Sequence, residues 1–458
     1  MTGEILDPAK LNWVGIRFLD PLGRVFRLEG DYYRAIYPDK VKYVGELFQS
    51  GIVDQLTSAG LLLPMERAPL SVRGYGLVLK TQASPWKISA DTYTRRALRA
   101  SGLSWISINE ILLRHGLGLV DAHLGNFVLT GRCRPHWIDL GSIVPVKEAE
   151  SATLEFANTI LYPLELLASN RGLERVARLL LREGGASQAE HNAMLGWTRS
   201  FSPLAALAVG TGFISRASRR LLREAGWPKR RAVLRSLRRR VESINPKPAR
   251  NYWTDYRSDG AIDVGTPGWT LPTEDPRTGK VVELIERVRP RRVLDIGAND
   301  GYFSALAARA GAKVLAVDSD EGAIDKFHQW IERTSLEVEA FASVDTFQRT
   351  PHKAELVVAL ALVHHIAITQ KYKFDYIAKR FAQMSERALI TEFMPNGVGR
   401  FSIAPDPLPA HYNLDIFLLE LRKYFTTVDV VPYSRPGHLS PRTLIFCDGR
   451  LSQPGEAG

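Results

Sequence analysis

The stretch RRVLDIGANDGYFSALAARAG, residues 291–311, constrains the fold more than any other part of the chain. Val293, Leu294 and Ile296 form a run too short for a helix and too continuous for a strand with one wet face. It therefore reads as a strand buried on both sides. Gly297 permits a tight turn after it, and Gly301 a close approach of backbone to a ligand. Helical spacing follows through YFSALAARAG and stops at Gly311. KVLAVD is then a second strand, ending at Asp318, 23 positions after Asp295. EGAIDKFHQWIER is an amphipathic helix with Ile324, Phe327 and Ile331 on one face. LEVEAF, ELVVALAL and RALITEF are expected as further strands, with helices between the last two. TTVDVVPYS and RTLIFCDG close the chain as an antiparallel edge pair. Strands and helices alternating in this way specify an α/β fold, a doubly wound Rossmann-like sheet with helices on both faces.

Such sheets bind ligands beyond the carboxyl ends of their strands, where the strand order reverses. Asp295, Gly297, Asn299 and Gly301 lie at the end of the first strand and Asp318 at the end of the second. A dinucleotide fingerprint would carry glycine where this chain has Asn299, because a pyrophosphate needs bare backbone amides there. That substitution argues against a dehydrogenase, although a fold that has lost its cofactor stays open as an alternative. VLDIGANDGYFS and LAVDSD resemble the first two motifs of class I S-adenosylmethionine-dependent methyltransferases, and ELVVALALVHHI and ALITEF are similar to that family's fourth and fifth strands. The resemblance covers about residues 270–450. It implies S-adenosyl-L-methionine as cofactor, with Asp295, Gly297, Asn299 and Gly301 around its methionine end. Asp318 would hold the ribose, and the adenine contact would fall near Ala342 to Asp345.

His364 and His365 follow the fourth strand and Glu392 ends the fifth, where acceptor meets cofactor in this fold. A hydroxyl or acidic carbon acceptor needs a base, and histidine titrates nearest neutral pH. These three residues are the catalytic candidates; the bland alternative is that one histidine caps a helix and the other packs. The fourth strand lacks the Asn- or Asp-Pro-Pro-aromatic motif of amino methyltransferases acting on bases, and no Pro-Cys pair suggests cytosine C5 chemistry. No metal site is expected.

The amino-terminal half has a different texture. GRVFRLEGDYYRAIY alternates apolar and polar residues around Gly30-Asp31, a hairpin signal. Helices are expected over Val41–Leu63 and Ala90–Gly116, a strand at GYGLVLKTQ, and helices again from Lys147 to about Ile244. Asp121, Asn126 and Asp139-Leu-Gly141 resemble a protein-kinase catalytic loop and metal-binding motif, though without a glycine-rich phosphate loop, and Lys80 is the candidate phosphate-binding lysine. The order of all these parts is similar to the NoeA-type host-specific nodulation proteins of rhizobia. That resemblance implies a role in legume nodulation with an unidentified methyl acceptor.

Three regions are expected: a degenerate kinase-like α+β region over 1–146, a basic helical region and linker over 147–260, and the methyltransferase domain over 261–458. A 45% hydrophobic and 24% charged composition fits globular domains. The two cysteines, Cys133 and Cys447, are isolated and fit a reducing cytoplasm. The opening MTGEILDPAKLNW has no basic segment leading into an apolar one, so no secretory signal is expected. The longest apolar run, Leu204–Ile214, is shorter than the roughly 20 residues that span a bilayer. A net charge of +11 concentrates in RASRRLLREAGWPKRRAVLRSLRRR. This reads as a solvated face of two helices, with Leu221, Leu222, Val233, Leu234 and Leu237 inward; an anion-binding surface is the alternative. The expected partner is a small-molecule or glycan-like acceptor, not nucleic acid, with peripheral membrane contact and oligomeric state left open. The competing functions are a phosphotransferase using Asp121, Asn126 and Asp139, and a non-enzymatic binder of an acidic partner.

Overall fold

The computed structural model describes residues 4–14, 20–149, 152–169, 171–196, 227–248, 270, 275–397, 408–433 and 442–452. The apolar run Leu204–Ile214, and Leu221 and Leu222, lie outside the described residues. The chain divides into two compact units, one of residues 1–91, 95–130 and 134–247, the other of 92–94, 131–133 and 248–458. The described helices of the basic helical region belong to the first unit.

In the first unit, Gly23–Leu28 and Asp31–Ile36 pair as a hairpin with Leu28 opposite Asp31. The two turn residues, Glu29 and Gly30, both have positive φ, at 50° and 94°, which matches the twist of the flanking strands. The hairpin sits in a five-stranded antiparallel sheet in the spatial order Asn12–Val14, Gly23–Leu28, Asp31–Ile36, Leu77–Thr81, Met65–Arg67. Phe26, Tyr33, Ala35, Val72 and Val78 form its core. Two helices, Val41–Gln49 and Ile52–Ser58, separate the hairpin from the later strands. The long helix Arg95–Leu113 buries Trp105, Ile106 and Leu112. Helix Trp227–Ser243 packs against it and buries Val233, Leu234 and Leu237. Part of its basic character is spent locally. Arg238 reaches Glu110 at 2.9 Å, and Arg240 grips Glu165 through two bonds of 2.7 and 2.8 Å.

Among the described residues, the second unit carries seven strands: β1 Arg292–Ile296, β2 Lys313–Asp318, β3 Ala340–Val344, β4 Ala354–Ala359, β5 Ser385–Phe393, β6 Phe425–Val431 and β7 Thr443–Arg450. Their spatial order is β3-β2-β1-β4-β5-β7-β6. The first five are parallel, whereas β7 pairs antiparallel with both β5 and β6. Helices α1 Pro276–Val288, α2 Tyr302–Arg309, α3 Glu321–Arg333, α4 Phe374–Met384 and α5 Leu414–Arg422 complete the alternation. One expected strand is displaced: the third begins at Ala340, not Leu336. Glu337 and Glu339 alternate with apolar residues in LEVEAF, but the segment that pairs with β2 on a buried sheet is the wholly buried Ala340–Val344. The order reverses between β1 and β4, so a crevice opens beyond their carboxyl ends. Among the described residues, no helix is long and apolar enough to cross a membrane.

Candidate active site

At the end of β1 the backbone turns through two left-handed residues, Gly297 (φ 71°) and Asn299 (φ 51°), before Gly301 (φ 75°) starts α2. The turn is fastened to β2. The Gly297 and Ala298 amides both donate to the Val317 carbonyl, at 2.9 and 3.1 Å. The Asn299 amide donates to Asp318 Oδ2 at 2.8 Å, and the Asp320 amide to Oδ1 of the same carboxylate at 2.8 Å. A carboxylate offers about four lone-pair sites, so the amides of Asn299, Asp320 and Ser319 do not exhaust it. Desolvation lifts its pKa to about 6. Asp295 is buried beneath the turn and takes a 2.6 Å bond from the Ser304 hydroxyl; burial pushes it up to about 7 despite that bond.

The two glycines have separate reasons to be glycine. A Cβ on Gly297 would meet the Leu362 side chain at 3.0 Å, so the absent side chain lets Leu362, from the loop after β4, pack directly over the turn. A Cβ on Gly301 would lie 2.3 Å from the ring of Phe327 on α3. Gly301 therefore makes room for a packing aromatic, a reason for glycine that stands beside the expected one of letting a ligand approach the backbone. Phe327 in turn stacks on Trp330. Beyond β3, where the adenine contact was expected, Asp345 is buried and its amide donates to the Asp318 carbonyl at 3.0 Å.

Past β4, Ala361 also adopts a left-handed conformation, φ 51°, which costs a residue with a Cβ about 1–2 kcal/mol. His364 and His365 follow at the start of a single π-helical turn, His365–Thr369, a feature frequent at functional sites. Their rings lie 4.0 Å apart. His364 is 5% exposed and its Nδ1 has no hydrogen-bond partner. Burial, then His365 and Arg442, drive its pKa down to about 3, so it is neutral at ordinary pH. Burial lowers His365 as well.

Glu392 differs from what the sequence suggested. It is fully buried and its carboxylate is engaged on all sides. Arg277 binds it through Nε at 2.6 Å and Nη2 at 2.9 Å, Arg442 through Nη1 at 3.1 Å, and the Ala361 amide donates at 3.1 Å. Burial alone would raise its pKa, but the two guanidiniums overcome this and hold it below the usual carboxylate range. A carboxylate so neutralised is a poor base. The expectation of base chemistry at Glu392 is corrected to that of a buried anchor. Arg277 and Arg442 were missed because nothing near them in sequence marks them; Glu392 is 115 positions from the first and 50 from the second.

Residues 293–381 match the family model described as a methyltransferase domain. The carboxyl-terminal unit is a class I S-adenosylmethionine-dependent methyltransferase domain. Over most of its length the chain is similar to nodulation protein NoeA of Rhizobium meliloti (strain 1021), 23% identical over 465 aligned residues that cover 91% of this chain and 93% of that protein. A shorter segment, 20% of this chain and 38% of the relative, is 34% identical to ribosomal protein L11 methyltransferase of Thermosipho melanesiensis (strain DSM 12029 / CIP 104789 / BI429). Among solved structures it is similar to the bifunctional kinase-methyltransferase WbdD, at 16% identity and TM-score 0.33. That match covers 43% of this chain and 46% of the other, so the chain spans less than half of that structure.

The kinase-like residues of the first unit come together only in part. Asn126 donates to Asp121 Oδ1 at 2.9 Å, and burial, then Glu155, raise the Asp121 carboxyl. Asp139 is not bare: Arg34 Nη1 lies 3.0 Å from its Oδ1 and 3.4 Å from Asp20 Oδ2. Lys80, the expected phosphate-binding lysine, instead pairs with Asp31 at 2.9 Å. The cation that faces the aspartates is Arg34, on the second hairpin strand. Its signal was a lone charge inside the apolar run YYRAIY.

Proposed function

We propose that the chain transfers a methyl group from S-adenosylmethionine to a small-molecule or glycan-like acceptor in the cytoplasm. The observation that carries this reading is the joint placement of the Gly297–Asn299 turn and the Asp318 carboxylate at the reversal of strand order. The residues suit the cofactor: the turn at Gly297 carries no side chain, and Asp318 keeps accepting capacity for the ribose. Asp295 underpins the turn from below, and Asn299 contributes its backbone more than its side chain, whose Oδ1 is occupied by the Asp300 amide at 2.8 Å. Bound, the cofactor supplies an electrophilic methyl on a sulfonium, and rate then comes mostly from holding the acceptor close and aligned.

His364 and His365 are the residues proposed to act on the acceptor. His364, neutral and with a buried nitrogen unspent, is suited to orient an acceptor through a hydrogen bond; His365, the less buried of the two, is the better placed to take a proton. The similarity to NoeA supports a role in host-specific legume nodulation. The phosphotransferase alternative is weaker, because Arg34 already pairs with Asp139, one of the acids that a metal would need. Binding of an acidic partner by the basic helix is weakened likewise by the pairing of Arg238 and Arg240. The test is a calorimetric titration with S-adenosylhomocysteine, followed by incubation of the protein with methyl-labelled cofactor and extracts of its own cell. Saturable binding and one labelled product class support the reading; binding without any labelled product would remove the enzymatic part of it.

A further inference from the structure

Two strand ends in the methyltransferase unit are built alike. At each, a non-glycine residue stands in the left-handed region, and its amide is fastened to a carboxylate on the neighbouring strand. Asn299 after β1 is held by Asp318 at the end of β2, and Ala361 after β4 by Glu392 at the end of β5. The first carboxylate keeps accepting capacity for a ligand, but the second is filled by two arginines, the Ala361 amide and the Tyr433 hydroxyl. What Glu392 still controls is the path of the chain. Ala361 directs the backbone so that the next side chain, Leu362, packs over Gly297.

We propose that Glu392 is a positioning residue: through the Ala361 amide it fixes the left-handed turn after β4, and so sets Leu362 against the Gly297 turn, where it shapes the backbone that meets the cofactor. Arg277 and Arg442 belong to the same device, because without them a buried carboxylate would protonate and release its grip. The inference rests on the reading that this pocket receives the sulfonium nucleoside.

The experiment measures affinity for S-adenosylhomocysteine in the full chain by calorimetry, and exchange of the Ala361 amide by mass spectrometry. In Glu392→Gln, affinity falls about tenfold, which corresponds to about 1.4 kcal/mol, and Ala361 exchange accelerates. In Glu392→Gln/Ala361→Gly, where the turn no longer opposes its own conformation, affinity returns to within about threefold of wild type. A merely structural loss would not be rescued by a glycine at 361. Ala361→Val, with the ion cluster intact, weakens affinity about tenfold, and Ala361→Gly alone leaves it within about twofold; this pair decides the matter should Glu392→Gln fail to fold. Wild-type affinity in Glu392→Gln or Ala361→Val, or a double variant no better than Glu392→Gln, overturns the proposal. Silence from folded wild-type protein would instead overturn the cofactor reading beneath it.

Discussion

Gly301→Ala separates two explanations of one glycine. The added Cβ would sit 2.3 Å from two ring carbons of Phe327, at a residue whose φ is 75°. Left-handed strain costs about 1–2 kcal/mol for a residue with a Cβ. Forcing a methyl into a packed aromatic adds about 1–3 kcal/mol, since Phe327 is fully buried and stacked on Trp330. The sum is about 2–5 kcal/mol. For a unit of this size each kcal/mol moves the melting temperature by about 2–4 °C, so differential scanning calorimetry should show its transition falling by about 5–15 °C. Phe327→Leu should return part of that loss, giving a coupling of about 0.5–3 kcal/mol in a double-mutant cycle. If Gly301 served ligand approach instead, Gly301→Ala would cost only the left-handed strain of about 1–2 kcal/mol, show no coupling to Phe327, and lose affinity for S-adenosylhomocysteine. That result would refute the packing explanation.

Cofactor affinity should also depend on pH through Asp318. Its folded pKa is raised to about 6 by burial, so as pH falls through that value the carboxylate protonates and loses acceptors for the ribose. Titrations from pH 8 to pH 5 should show weakening below about pH 6 in wild type, and Asp318→Asn should remove that step. In the first unit, Arg34→Ala should cost about 3 kcal/mol in urea unfolding, because it strands Asp20 and Asp139 together. Lys80→Ala, which removes a half-exposed partner of Asp31 and a cation over the Tyr33 ring, should leave the unfolding midpoint nearly unchanged. Glu165→Gln should destabilise that unit by about 3 kcal/mol, since Arg240 and His191 both converge on it in the interior. The Glu165 pKa is depressed by those partners against the effect of burial. Its stabilisation is therefore present above the ordinary glutamate range and lost as pH falls through the folded value, which acid titration of the wild type and Glu165→Gln would check.

The elements nearest the pocket were legible because their signals are local. A continuous apolar run such as VLDI leaves few options other than a strand covered on both faces, and Gly297 announces a turn by itself. The hairpin around Gly30 was legible for the same reason. What escaped depends on contacts between distant positions. The need for glycine at 301 is set by Phe327 on another helix, and Glu392 changes from candidate base to anchor only once Arg277 and Arg442 are brought to it. Arg34 and Asp139 are 105 positions apart, so their pairing left Lys80 as the more visible cation. LEVEAF carried a true alternation, but register is decided by which residues fit between a buried sheet and its helices, and Ala340–Val344 fit better.

The most direct test of the whole account is equilibrium titration of the purified full chain with S-adenosylhomocysteine, run beside Asp318→Ala. A saturable isotherm with one site per chain is predicted, weakened by roughly ten- to a hundredfold in the variant, as loss of charge-assisted bonds worth about 1.5–3 kcal/mol requires. Equal affinity in both proteins would contradict the assignment of Asp318, and a flat isotherm from folded wild type would contradict the central claim itself.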